Sequence, residues 1–146
     1  MKNFILGLLF VLYATNIVSC AENNPVEVSP PEDTELVYLK VGSFAVSSFD
    51  KAPDWAPPPE SQAVIDGDLN TRWASDYIDN QWVSFDFGKP KVLSKVLLCW
   101  EAAYAVDYDI LLSLDNQNWQ SLMSLKDRQG GDEELDFAPV KTQFVK

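Results

Sequence analysis

No histidine occurs among the 146 residues. Its absence removes the commonest general base and every Ser-His or Cys-His nucleophile arrangement. Cysteine is almost missing as well. With only Cys20 and Cys99, and no imidazole, neither a thiolate nor an imidazole zinc site can be assembled. Basic residues are scarce, 11 Lys and Arg against 22 Asp and Glu, giving a net charge of −11. Lys2 is the only charge before Ser19, so the remainder of the chain is one unit more acidic, at −12. Such a surface repels nucleic acid and anionic headgroups, and no nucleic-acid partner is expected. Paired carboxylates could still perform glycosidase chemistry, but among so many acids no pair stands out, and an enzyme is not expected. No convincing helical stripe is present either.

The chain does carry an apolar start. "MKNFILGLLFVLYATNIVSC" has Lys2, an apolar run over Phe4–Leu12 and small residues near Cys20. A positive start, a short apolar middle and a small residue at the cut describe an export signal over 1–19. Thr15 and Asn16 make the run too short and interrupted for a comfortable membrane span. Ile17-Val18-Ser19-Cys20 resembles the bacterial lipobox, which implies lipidation of Cys20 and a lipid-anchored place in the cell envelope. Ala21 after the cysteine favours the outer membrane or the cell surface. An ordinary secretory signal is the alternative. Lipidation would leave Cys99 as a small buried hydrophobe; a Cys20–Cys99 disulfide competes with that reading. Residues 20–35, with three prolines and five acids, read as an extended tether.

From Leu36 the pattern has period two. Val83, Phe85 and Phe87 alternate in "QWVSFDFG", which halts at Gly88-Lys89-Pro90; Val96, Leu98 and Trp100 share a face in "SKVLLCWE". Tyr108, Ile110, Leu112 and Leu114 do the same before the turn Asp115-Asn116-Gln117-Asn118. "VYLKVGSFAVSS", "NWQSLMSL" and "EELDFAPV" are shorter strand candidates. Short strands between turn residues predict an all-β sandwich or barrel over 36–146. Phe49–Gln62, Ser75–Gln81, Glu101–Asp107 and Lys126–Glu133 are its expected exposed loops.

The stretch "AVIDGDLNTRWAS", Ala63 to Ser75, concentrates polar groups. Asp66, Asp68 and Asn70 suggest an EF-hand, but its sixth and twelfth positions would be Thr71 and Tyr77 instead of glycine and glutamate. Calcium by another geometry stays open, with side-chain oxygens from Asp66 and Thr71 and carbonyls from the turn through Gly67-Asp68. An Asx-type turn at Asp66, with Arg72 paired to an acid, is the alternative.

These segments in order resemble the discoidin, or coagulation factor 5/8 type C, domain, a family that includes the family 32 carbohydrate-binding modules. The resemblance is carried by A-x-D-G-x-x-x-T-x-W at Ala63–Trp73 and Q-W-V-x-x-D-F-G at Gln81–Gly88. It continues through W-E-x-A-Y-A at Trp100–Ala105, Y-x-I at Tyr108–Ile110 and S-x-D-x-x-x-W at Ser113–Trp119. "KTQFVK" matches the following strand. The family fold is an eight-stranded antiparallel jelly-roll β-sandwich of the galactose-binding type, and here the last strand is not matched.

The resemblance implies a structural Ca2+ held by the Asp66 carboxylate, the Thr71 hydroxyl and the main-chain carbonyls of Ala63 and Asp68. It also implies a non-catalytic recognition module binding glycan through loops at one end. A cell-surface protein partner in adhesion, and a truncated remnant without binding function, are the alternatives. Trp73, Trp82, Trp100 and Trp119 fall at positions that are mostly core or core edge. The ligand-binding candidates are then Trp55, in "KAPDWAPPPE", with Tyr77, Glu101 and Tyr104. Prolines on both sides would hold the Trp55 ring with little freedom to lose on binding, or the ring packs on the sandwich and pins its loop. Galactose-type modules often use histidine, which is lacking here, and the acidic balance does not suit the lipid-binding members.

Overall fold

A computed structural model describes residues 5–7, 41–49, 64–65 and 71–146. Its elements are all strands: β1 Ile5–Gly7, β2 Ser43–Val46, β3 Trp73–Ala74, β4 Val83–Trp100, β5 Tyr108–Ser113, β6 Gln120–Leu125 and β7 Asp132–Val145. Every pairing between them is antiparallel. The order is β3-β1-β4-β7-β5-β6, with β2 also on β4.

The expected alternation decides which side chains go inside. Val83, Phe85 and Phe87 are buried while Ser84 and Asp86 lie at the half-exposed face. The inward positions of β4 are odd up to Leu93 and then become even, at Val96 and Leu98. The switch coincides with the register irregularity between Leu93 and Lys95. A face change of this kind needs a break in strict pairing, because a regular strand cannot alter its parity.

β4 is long and bent. Eighteen residues of straight strand would span about 60 Å. Yet Phe85 and Leu98, from its two halves, lie in one core cluster with Ile110, Leu135 and Val145. The chain therefore folds over on itself near Gly88-Lys89-Pro90. Gly88 has φ +73°, and its N–H donates to Asp86 Oδ1 at 2.7 Å. These residues were expected to end a strand; instead they make a corner, because the ladder to β7 resumes at Lys91 opposite Thr142. β7 follows the same course. The two strands form one ribbon that serves both layers of an antiparallel β-sandwich. The first half of β4 and the second half of β7 join β2, β5 and β6, while the other halves join β1 and β3.

Some expectations change. Leu114 is 57% exposed, because β5 stops at Ser113, where the Asp115 turn begins. Ser75 and Glu133, at the edges of expected loops, are buried. Trp73 is core, but Trp82 is 39% exposed, since it sits one residue before the inward-facing Val83. Cys99 is half-buried, where a buried hydrophobe was expected. Cys20 lies outside the described residues.

Candidate functional site

Both halves of the ribbon return to the same end of the sandwich, and the loops there are tied together by side chains. Ser47 Oγ accepts from the Trp82 backbone N–H at 2.9 Å and donates to Gln81 Oε1 at 2.7 Å. Ser48 Oγ also donates to Gln81 Oε1 and accepts from the Asp76 N–H at 2.9 Å. The Trp73 indole N–H donates to the Ser48 carbonyl at 3.0 Å. Hydroxyls are suited to this work because each can donate and accept at once. They fix the segment 75–82 on the end of β2.

A second group of loops stands opposite. The Arg128 N–H donates to the Val106 carbonyl at 2.9 Å, and the Asp127 N–H to Asp107 Oδ1 at 3.0 Å. Gly130, with φ +72°, lies under the Tyr104 ring, where an added Cβ would come within 2.4 Å of a ring carbon. Deeper down, Glu133 Oε2 accepts from Arg128 Nε at 2.7 Å, Arg128 Nη2 at 2.5 Å and the Tyr108 hydroxyl at 2.9 Å. Burial and then the Glu133 carboxylate push the Tyr108 phenol well above its ordinary value of 10.

Between the two groups opens a cleft of about 830 Å³. Its floor is apolar, from Phe85, Val96, Leu98 and Ile110, and its walls hold Trp73, Trp82, Trp100 and Tyr108. Asp79, Asn80, Gln81, Asp107 and Asp109 stand at its edge with Lys126 and Lys146. The Lys146 ammonium lies 5.0 Å from the centre of the Trp82 ring and 4.2 Å from that of Trp119, within cation–π range of both. Apolar and aromatic walls with a few polar groups at the edge are what a small-ligand site requires. Aromatic faces take the C–H face of a sugar ring, and carboxylates and amides take its hydroxyls.

Of the residues named from sequence, Tyr77 is 50% exposed, Glu101 is exposed and Tyr104 is half-buried against Gly130. They border the cleft through their neighbours, since the lining comes from Ile78, Trp100 and Ala105. Trp55 lies outside the described residues. Trp82, Trp100 and Tyr108, which line the cleft, and Glu133, which holds Tyr108 from behind it, were not named as ligand candidates. Alternation offered one signal for them: Trp82 is out of phase with Val83, and Glu133 in phase with Leu135.

Among the calcium candidates, Thr71 is half-buried, whereas Ala63, Asp66 and Asp68 lie outside the described residues. Val64 is fully buried and Trp73 4% exposed, so the loop is pinned on the core at both ends. Among the described residues no group of three Cys, Asp or Glu could hold a metal ion.

The F5/8 type C domain model matches residues 43–146. The chain belongs to this family. Among solved structures, it is 33% identical to chitosan-binding module 2 from the chitosanase/glucanase of Paenibacillus sp. IK-5, determined with chitotriose. That likeness covers 70% of this chain and 79% of the module, with a TM-score of 0.63. A family 32 module from Clostridium perfringens, in complex with GalNAc-β-1,3-galactose, shares the fold at 22% identity and a TM-score of 0.57. It covers 70% of this chain and 79% of the other. Among curated proteins, the polysaccharide lyase 8 family protein HylA of Enterococcus faecalis (strain ATCC 700802 / V583) is 28% identical over 150 residues. The match takes in 99% of this chain but only 10% of HylA. Its fold here is the antiparallel β-sandwich that these carbohydrate-binding modules share.

Proposed function

We propose that this F5/8 type C domain is a non-catalytic module that binds glycan in the cleft between the loops of 75–82 and 101–109. The supporting observation is the cleft itself, which the exposed Trp82 ring lines together with Asp79, Asp107 and Asp109. An exposed ring among the residues lining the cleft can stack on the face of a pyranose. The acidic edge and the net charge of −11 favour a sugar carrying an ammonium group, in line with the chitosan-binding relative. Ca2+ on Ala63, Asp66, Asp68 and Thr71 would brace the loop that precedes Trp73, using the all-oxygen set this cation prefers. Lipidation of Cys20 would hold the module at a membrane surface on its acidic tether.

Titration calorimetry with chitotriose and with its N-acetylated counterpart tests the reading. The free amino sugar should bind more tightly, with an affinity that falls as salt is added. Trp82→Ala should weaken binding roughly tenfold or more, the scale of a lost stacking contact. A folded Trp82→Ala variant that binds like the wild type would remove the cleft from consideration.

A further inference from the structure

The backbone of Trp82 is fixed on the end of β2. Its N–H donates to Ser47 Oγ at 2.9 Å, and its carbonyl accepts from the Ser47 N–H at 2.9 Å. Those bonds do not hold the ring, which lines the cleft and is 39% exposed. A ring free to turn loses rotamer entropy when a sugar stacks on it, and binding is weaker by that amount.

Among the described residues, the charged group over the Trp82 ring is the Lys146 ammonium, 5.0 Å from the ring centre. The same ammonium stands 4.2 Å from the centre of the Trp119 ring, so one cation meets two indoles. A lysine stem ordinarily roams, but this one is anchored at both ends. At its root, the Lys146 N–H donates to the Leu111 carbonyl at 2.8 Å, and its own carbonyl accepts from the Leu111 N–H at 2.7 Å. The residue before it, Val145, is core. At the far end, Trp119 is half-buried between β6 and the turn in which Asp115 accepts from the Asn118 N–H. Trp119 itself does not line the cleft, whereas Lys146 and Trp82 do. The exposed ring is thus tied through a cation to a fixed part of the sandwich. A cation over one face of a ring leaves the opposite face for a pyranose.

We propose that Lys146 is a positioning residue: its ammonium, clasped between Trp82 and Trp119, holds the Trp82 ring by one face and presents the other to the glycan. This deepens the glycan-binding reading and rests on it.

Titration calorimetry of the full chain, with chitotriose and separately with its N-acetylated counterpart, provides the test. Lys146→Met keeps a stem of similar length and removes the cation. Lys146 is a positive charge at the edge of an acidic cleft, so by charge alone its loss should tighten binding of an ammonium sugar. Positioning requires the reverse, a loss of about threefold to tenfold, the scale of a cation–π contact. Lys146→Arg, which keeps a cation able to stack, should recover most of the wild-type affinity. Trp119→Leu leaves every residue of the cleft lining in place and should weaken binding in the same direction; it decides if Lys146→Met fails to fold. In nuclear magnetic resonance of the 15N-labelled chain without ligand, the Trp82 indole N–H signal, assigned by its loss in Trp82→Phe, should move in Lys146→Met. A wild type that binds and loses affinity on Trp82→Ala, but keeps or gains it on Lys146→Met, would overturn the role of Lys146 alone. A wild type that binds neither probe would overturn the glycan reading and this role with it.

Discussion

Asp115 organises the turn after β5. Its Oδ1 accepts from the Gln117 and Asn118 N–H groups at 2.9 and 2.8 Å, and its Oδ2 from the Asn118 amide at 2.7 Å. These bonds, led by that from the Asn118 backbone, hold its carboxyl well below the usual carboxylate range. A depressed folded-state value contributes stability that is complete above the unfolded value, near 3.8, and is lost as pH falls through the folded one. Asp115→Asn should therefore lower the thermal midpoint at neutral pH and reduce its dependence on pH below about 4. Thermal unfolding as a function of pH measures both. Tyr108 works in the opposite sense. Its raised value favours the protonated fold, so its contribution is complete below about pH 10 and disappears as pH rises through the folded value. Gly130→Ala meets a positive φ and the Tyr104 ring together, and should destabilise the fold by about 1–3 kcal/mol in denaturant titration. The turn chemistry of "SLDNQN" was legible in the sequence, since Asp and Asn are the residues that bond their own backbone. The burial of Glu133 was not, because it depends on Tyr108, which comes from a strand distant in sequence.

At the scale of the element, strand patterning identified β2, β4, β5, β6 and β7 before any pairing was known, but neither β1 nor β3. It failed to show that two of them are one. Gly88-Lys89-Pro90 has the chemistry of a strand end, and only the shared partner β7 reveals a corner. The parity change near Lys95 was likewise hidden, because a bulge is a relation between two strands. The first half of β4 buries Phe85 in the core, to 1% exposure. Phe85→Ala should cost about 3–5 kcal/mol, read as a shift of the urea midpoint with little change of slope. Thr142 makes a subtler link. Its buried hydroxyl lies 2.8 Å from the Ser113 carbonyl, joining β7 to the end of β5. Thr142→Val should cost about 1–2 kcal/mol by the same measurement, since it keeps the shape and removes the bond.

For the whole molecule, the family and sandwich class could be read from ordered motifs, each short and dominated by aromatic and turn residues. The cleft could not, because it is a gap between loops distant in sequence. Tyr77, Glu101 and Tyr104 lie on loops that border the cleft, yet it is their neighbours Ile78, Trp100 and Ala105 that line it. The ribbon of β4 and β7 has a consequence in time. Its ladder joins positions as far apart as Phe85 and Val145, and both layers depend on it. Contacts so distant in sequence form slowly, and neither layer has a full set of neighbours until β7 has been synthesised. A nascent chain ending before Asp132 should show no cooperative melting and remain open to protease. Folding of both layers is thus deferred until β7 has left the ribosome, and the strands before it wait without their full set of neighbours.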